Sequence, residues 1–580
     1  MAPKFRISRL TQAQTLRVMA LLPLLAAAQA HGQAVERHLP EVPQNAPTQL
    51  AAPNAVPADQ DATPIGPALR GIVLLGAPEA VHTDAGDGVR IGDVARLKGD
   101  NAIAGLLHPY LGQPLSRRLI AGIEAAIAKH YRDLNYPFVS LSTPEQEITG
   151  GVLQVRVVEF RTGKVAVEGA KSVAEAARLR RDVALDSGDA IDARTLTYDL
   201  DWINRYPFRN VQAVFAPGGT LGVSDLTLEA REAKPWQAYA GYSNDGSPST
   251  GFDRYFAGGA IGNLLGADSV LSLQTTVSRD VLQGRADPHY KSTALAYSLP
   301  FGHDGQIEAS ADVVDTFQPG DPFDVRLKAG EGALGYRFAV SDLYGDTGET
   351  DMRVGIEAKH QTGITYFGGL AIYDVSVEIY QLYLGYHHSD KDALGSSVFD
   401  FALHLSPGGL DHGNSDAQAL IYSQGRQAGE TYGYATATYD RLTVLPAGLF
   451  LKTDAIGQFA AVALPRTEQA GLGGSSLVRG YTLDDGAFDT ALIIRNELHM
   501  PGVTWNAAGS QIGPFVFTDL GYGRDNAVRT TSGLASAGAG AESHLTRYVS
   551  LNLSAACTLA PDHATRAGSW LAHTNLSVAF

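Results

Sequence analysis

Cysteine is almost missing from this chain: Cys557 is the only one in 580 residues. A single thiol excludes an intramolecular disulfide and a cysteine-based metal cage. Cys557 lies in the apolar alternating run "YVSLNLSAAC", where a free cysteine packs as a small hydrophobe. Charge is scarce too, at 18% of residues, and the balance is −16. An acidic surface gains nothing from phosphates, which argues against a nucleic-acid partner. Enzyme motifs are absent: no G-x-S-x-G elbow and no H-E-x-x-H occurs. "GLGG" at Gly471–Gly474 has neither the preceding strand plus phosphate-binding lysine nor the following helix that a P-loop needs. His387-His388 reads as a rim or loop pair, not a metal site. The chain therefore reads as a non-enzyme with no catalytic, cofactor-binding or metal-binding residues.

Long apolar runs are confined to the amino end. "MAPKFRISRLTQAQTLRVMALLPLLAAAQA" places Lys4, Arg6, Arg9 and Arg17 before an apolar run, then Ala28 and Ala30 in an A-x-A pattern. This reads as a secretory signal peptide over residues 1–30, its apolar run too short for a spanning helix. With no later apolar stretch, a helical inner-membrane protein is excluded. Residues 31–67 are punctuated by Pro40, Pro43, Pro47, Pro53, Pro57, Pro64 and Pro67 and read as an extended linker. Only "QAVERHL", Gln33 to Leu39, has the makings of a short helix.

Two similar units follow, over 68–160 and 161–232. In the first, "LRGIVLLG" reads as a strand, "NAIAGLLHPYL" and "LSRRLIAGIEAAIAKHYRDL" as helices, and "PFVSLST" and "GVLQVRVVEF" as strands. Leu119, Ile123, Ile127 and Tyr131 recur at helical spacing. The second unit repeats the plan, with "GKVAVEGA", helices in "VAEAARLRRDVA" and "ARTLTYDLDWINRY", then "NVQAVFA" and "SDLTLEARE". The pattern is βααββ twice, a repeat of structure.

From about residue 233 to 580 helical periodicity vanishes. About sixteen segments of about ten residues alternate apolar and polar positions between Gly, Asp and Pro turns. "SVLSLQTTVS", "SSVFDFALHLS" and "GPFVFTDLGYG" are examples. Such lengths suit tilted membrane-spanning strands, and closure removes the exposed edges of a long antiparallel sheet. A soluble propeller or sandwich would alternate similarly. The membrane is favoured by aromatic residues near strand ends (Tyr239, Tyr242, Tyr255, Tyr380, Tyr383, Tyr386, Trp570) and by the terminal strand "TNLSVAF". The expected fold class is an all-β transmembrane barrel of about sixteen antiparallel strands after two small α+β domains.

Together these parts resemble the two-partner secretion transporters (the TpsB family), within the wider superfamily of outer-membrane assembly factors. "STPEQEITGGVLQVRVVEF", "NRYPFRNVQAVFAPGG" and "EAKPWQAYAGYSNDGSPSTGFDRYFAG" resemble the family's module ends and barrel entry, and the likeness extends over most of the chain beyond residue 68. The resemblance implies polypeptide-transport-associated (POTRA) domains in the periplasm and a barrel in the outer membrane. It implies export of a large, unfolded secreted exoprotein without nucleotide hydrolysis. Further partners would be outer-membrane lipids and the barrel assembly machinery, which would read the terminal Phe580. Many members carry a plug helix before the first module; here Gln33–Leu39 is short and proline follows at once. The runner-up is an outer-membrane insertase of the same superfamily; a third reading, a porin or adhesin, leaves the βααββ units without purpose.

"VRGY", Val478, Arg479, Gly480 and Tyr481, matches the family signature on a long loop (residues 471–487) that folds into the lumen. The family's arginine binds an acidic residue of an inner-wall motif, matched by Phe517, Thr518 and Asp519. The residues support this independently. Phe515, Phe517, Asp519 and Gly521 share one parity, and Asp519 cannot face lipid without large cost. Val516, Leu520 and Tyr522 are then expected to face the bilayer. A lumenal carboxylate calls for a cation, and the planar guanidinium fork suits it better than lysine. The plainer alternative is an arginine in an exposed loop, with any pairing to Asp484 or Asp485 of little energetic value.

Overall fold

The computed structural model describes residues 59–580 apart from 84–85, 303, 341–348, 505–509 and 563. The expected signal peptide, most of the expected linker and the Gln33–Leu39 segment lie outside the described residues. Among the described residues, those from 59 to 233 and those from 234 onward form two compact units.

In the first module of the amino-terminal unit, Gly88–Ile91, Gly71–Leu75, Val152–Glu159 and Val139–Ser142 form a four-stranded sheet in that order. Its centre is apolar on both faces, as the unbroken run of Gly71–Leu75 requires. Helix Arg117–Asp133 starts where the Ser116 hydroxyl accepts the Leu119 N–H at 3.2 Å. It buries Leu119, Ile123, Ile127 and Tyr131 against Leu74, Leu153 and Val155. The second module orders Arg161–Glu168, Val223–Glu232 and Arg209–Pro217, packed by helices Val173–Arg181 and Ala193–Ile203. Phe138 of the first module enters the second core, its ring 4.3 Å from that of Phe215.

Two expectations change here. The first module has an additional strand, Gly88–Ile91, paired in parallel with Gly71–Leu75. Four residues between glycines are too few to show a period. The linker also ends earlier than residue 67, because Pro64–Ala68 pairs antiparallel with Pro114–Ser116. Proline is tolerated there because the ribbon has two strands and broken register, so few ladder bonds are lost.

The second unit is a closed antiparallel barrel. Among the described residues sixteen strands span it, from Trp236–Ser243 to Trp570–Ala579. The seam between these two pairs Tyr239 with Ala579 through Ser243 with Asn575. Phe580 extends it by donating its N–H to the Ala238 carbonyl at 2.8 Å, while its ring lies 5.8 Å from that of Tyr548. Alternation supplies the faces: Leu273, Leu334, Ile356, Leu382 and Leu520 are exposed outward, whereas Gln274, Glu357, Lys359, Gln381 and Asp519 are buried. No helix among the described residues is long and apolar enough to cross a membrane.

The strands are not uniform. Phe323–Ala339, Glu349–Phe367 and Leu370–Asp392 run to 17, 19 and 23 residues, beyond the length a membrane span requires. The aromatic girdle is thinner than expected. Tyr239 and Tyr383 point inward, Tyr239 onto Gln274 and Tyr383 over His404. Each lies three residues from a neighbour on the outward face (Tyr242; Tyr380 and Tyr386), and an odd spacing puts side chains on opposite faces. His387 and His388 belong to a strand, not a loop: His387 turns inward 2.8 Å from Asp400, and His388 lies 2.9 Å from the Thr350 hydroxyl.

Candidate functional site

The connection between strands Phe450–Ala460 and Thr490–His499 is a 29-residue loop, 461–489, that folds back inside the barrel. Its limbs pair where Ala470–Gly471 meets Ala487–Phe488, leaving residues 472–486 as the tip. Val478, Leu472 and Phe488 pack on the wall residues Ala491, Ile493 and Leu534. Gly521 leaves room for this contact: a Cβ there would come within 2.8 Å of Val478.

Arg479 stands at the end of the tip, 3% exposed. Its Nε and Nη2 donate to Oδ2 and Oδ1 of Asp519, both at 2.7 Å, and its backbone N–H reaches Oδ2 at 3.1 Å. Its Nη1 donates to Glu497 Oε1 at 2.6 Å. The guanidinium carbon lies 3.5 Å from the centroid of Phe517, a cation–π contact in a desolvated place. Asp519 and Phe517 are buried while Thr518 faces outward, as do Val516, Leu520 and Tyr522. Arg479 thus meets Phe517 and Asp519 but not Thr518.

The rest of the signature is fixed as closely. Gly480 has φ of 90°, and a Cβ there would lie 3.2 Å from both Ala556 and Thr558. Tyr481 is fully buried, its hydroxyl 2.6 Å from the Ala560 carbonyl and 3.0 Å from that of Ala535. Asp484 and Asp485 do not pair with the arginine. Asp484 accepts from Ser249 Oγ at 2.6 Å, and Asp485 caps its own turn through Thr482 and accepts from Thr565 at 2.9 Å.

Glu497 escaped the sequence reading. It shares one face of its strand with Arg495 and His499, the parity that singled out Asp519 on the neighbouring strand. Arg495 Nη2 lies 3.3 Å from Glu497 Oε1, and His499 Nε2 is 2.9 Å from Oε2, its ring stacked between Phe450 and Phe515. Glu497, His499 and Glu542 also bring ligand-type atoms within 4.8 Å of one another. Two guanidiniums already on Glu497 disfavour a further cation there. Arg479 and Arg495 against Asp519 and Glu497 make a balanced cluster, so mutual attraction offsets the desolvation of each ion. The arrangement holds the loop tip in place against the wall.

A second hub lies at the base of the loop. Asp489 is fully buried and accepts from Arg426 Nη2 at 2.8 and 2.9 Å, and from the N–H groups of Leu464 and Asn526 at 2.8 and 2.7 Å. Arg426 belongs to a different loop, 407–431, so the two loops are joined.

Comparison with known proteins places this architecture. Residues 222–543 match the family model described as haemolysin secretion/activation protein ShlB/FhaC/HecB, and residues 87–159 match the ShlB-type POTRA domain. The outer membrane transporter CdiB-2 of Burkholderia pseudomallei is 23% identical over 430 residues, covering 72% of this chain and 69% of that protein. CdiB of Escherichia coli is 24% identical over 403 residues, covering 68% of this chain and 65% of that protein. The solved structure of CdiB from Escherichia coli superposes with a TM-score of 0.66 at 20% identity, covering 90% of this chain and 93% of that one, a likeness of fold. The match over more than half its length shows that this chain belongs to the haemolysin secretion/activation family of outer-membrane secretion transporters.

Proposed function

We propose that the chain carries one large secreted partner, in unfolded form, from the periplasm to the cell surface, and that loop 461–489 is the latch which closes its path. The observation carrying this reading is the buried pairing of Arg479 with Asp519 and Glu497, which holds a long loop inside the pore. A buried bidentate pair is strong while intact and costly to break by halves. It suits a closed state that cargo must displace. The two α+β modules receive the partner on their edge strands, Arg161–Glu168 and Arg209–Pro217 among them, by strand addition or along a helix–sheet groove. Phe580 and the terminal strand serve as the insertion signal. Transport requires no nucleotide and no catalytic residue, and refolding of cargo outside supplies the drive.

Deleting the gene and cataloguing extracellular proteins tests the reading. Loss of one large exoprotein is expected. A general loss of outer-membrane barrels would replace this function with an insertase.

A further inference from the structure

The tip contact is not the loop's only buried ionic anchor. Glu468, in the entry limb, is fully buried and faces Lys359 on strand Glu349–Phe367. Lys359 Nζ donates to both Glu468 oxygens, at 2.9 and 3.0 Å, and is itself 3% exposed. Tyr434, on strand Tyr432–Val444, donates its hydroxyl to Glu468 Oε2 at 2.6 Å. Beside Glu468, Gln361 donates to the Thr467 hydroxyl, and Gln458 Nε2 to the Glu468 carbonyl at 2.8 Å.

We infer that Lys359, Glu468 and Tyr434 form a second lock on the loop, separate from Arg479 and holding the entry limb rather than the tip. It rests on the reading of the loop as a latch. Separation is geometric: the Lys359 strand is six strands round the wall from the Asp519 strand. It is also chemical. At the tip a loop cation meets wall acids; here a loop acid meets a wall cation, so the locks cannot exchange partners. Lys359 also lies 3.7 Å from Glu331 and from Glu357 on the wall. Glu468 is thus the third carboxylate around one ammonium, and neighbouring wall acids oppose its return once it has left. That asymmetry favours a contact that releases as a unit. Lys359 and Tyr434 act here as positioning residues, reaching cargo only through the loop.

The test uses the full chain, purified and reconstituted in planar bilayers, with potassium chloride conductance as the readout and vancomycin entry into cells as the parallel measure. Heat-modifiable migration confirms a folded barrel in each variant. Glu468→Gln keeps the shape of a loop residue and leaves the wall untouched, and Lys359→Met removes the wall cation. Each is expected to raise the frequency of large openings by about a hundredfold or more, the scale set by losing one partner of a buried charge pair. The double variant K359M/E468Q should match the single variants, whereas K359M/R479A should exceed either parent. Wild-type openings for Glu468→Gln, with Arg479→Ala still raising them, overturn the second lock alone. Wild-type openings for both variants overturn the latch itself.

Discussion

The amino-terminal modules and the barrel lumen bury their side chains for opposite reasons. In the first module Ile72, Leu74, Ile103, Ile123, Ile127 and Leu153 are fully excluded from solvent, with no ion pair among them. In the lumen the excluded groups include Arg479, Asp519, Glu497, Lys359, Glu468 and Asp489. A module in water gains its cohesion from removing apolar surface. A barrel in lipid already spends its apolar residues outward, so its interior is held by charge pairs and hydrogen bonds. The difference teaches where each part can move. An apolar core loses its cohesion as a whole, whereas a charge pair can be exchanged for water or for another polar chain. The movable part of a secretion pore is thus expected in its polar interior.

The comparison breaks most visibly at Arg479. Arg479→Ala leaves Asp519 and Glu497 buried with half their partners, a loss of about 3–5 kcal/mol in loop anchoring. Secretion of the partner is expected to cease while the barrel still inserts, measured by exoprotein in the medium against barrel in the outer membrane; Asp519→Ala should behave alike. In the first module, Ile123→Ala removes a fully buried side chain and should cost about 2–5 kcal/mol. Hydrogen exchange on the full chain should show faster exchange in helix Arg117–Asp133, with the barrel unchanged. On the outward face, Leu520→Arg, one residue from Asp519, should destabilise insertion by about 2–4 kcal/mol if it sits at the bilayer midplane. Urea unfolding in vesicles measures it, and unchanged stability would remove the assignment of that face to lipid.

The smallest effect is electrostatic and lies in the module. The hydrogen bond from His130 at 2.5 Å, then the Ala102 N–H, hold the Asp100 carboxyl below the ordinary aspartate range despite some burial. Its folded pKa is lower than its unfolded one. The stabilisation is therefore present above about pH 4 and lost as pH falls further through the folded value. Because Asp100 caps helix Asn101–Leu107, Asp100→Ala should cost about 1 kcal/mol at neutral pH and less in acid. Thermal melts of the module at two pH values read this.

Much of the wall was legible because a strand's period is two and lipid tolerates no charge. Asp519, in mid-strand, forces Phe515, Phe517 and Gly521 inward with it and Val516, Leu520 and Tyr522 outward. The same logic applied to Thr490–His499 reveals Glu497, since Arg495 and His499 share its parity. Loop contacts obey no period. Nothing local says that Glu468 should meet Lys359 across 109 positions of sequence, or that Asp484 should reach Ser249 rather than the arginine. Gly88–Ile91 stayed hidden for another reason, being too short to carry alternation.

By itself the sequence determined the two-part plan: helical periodicity before residue 233, alternation after it, and an arginine in a glycine-rich loop upstream of a carboxylate that cannot face lipid. Those are properties of single segments, written in local spacing and in the cost of transferring charge. Only the tertiary structure decided how long the strands run, which tyrosines turn inward, and which wall residue each loop charge meets. Such pairings depend on register and closure around the whole barrel, and a closed sheet brings together residues that no window of sequence contains.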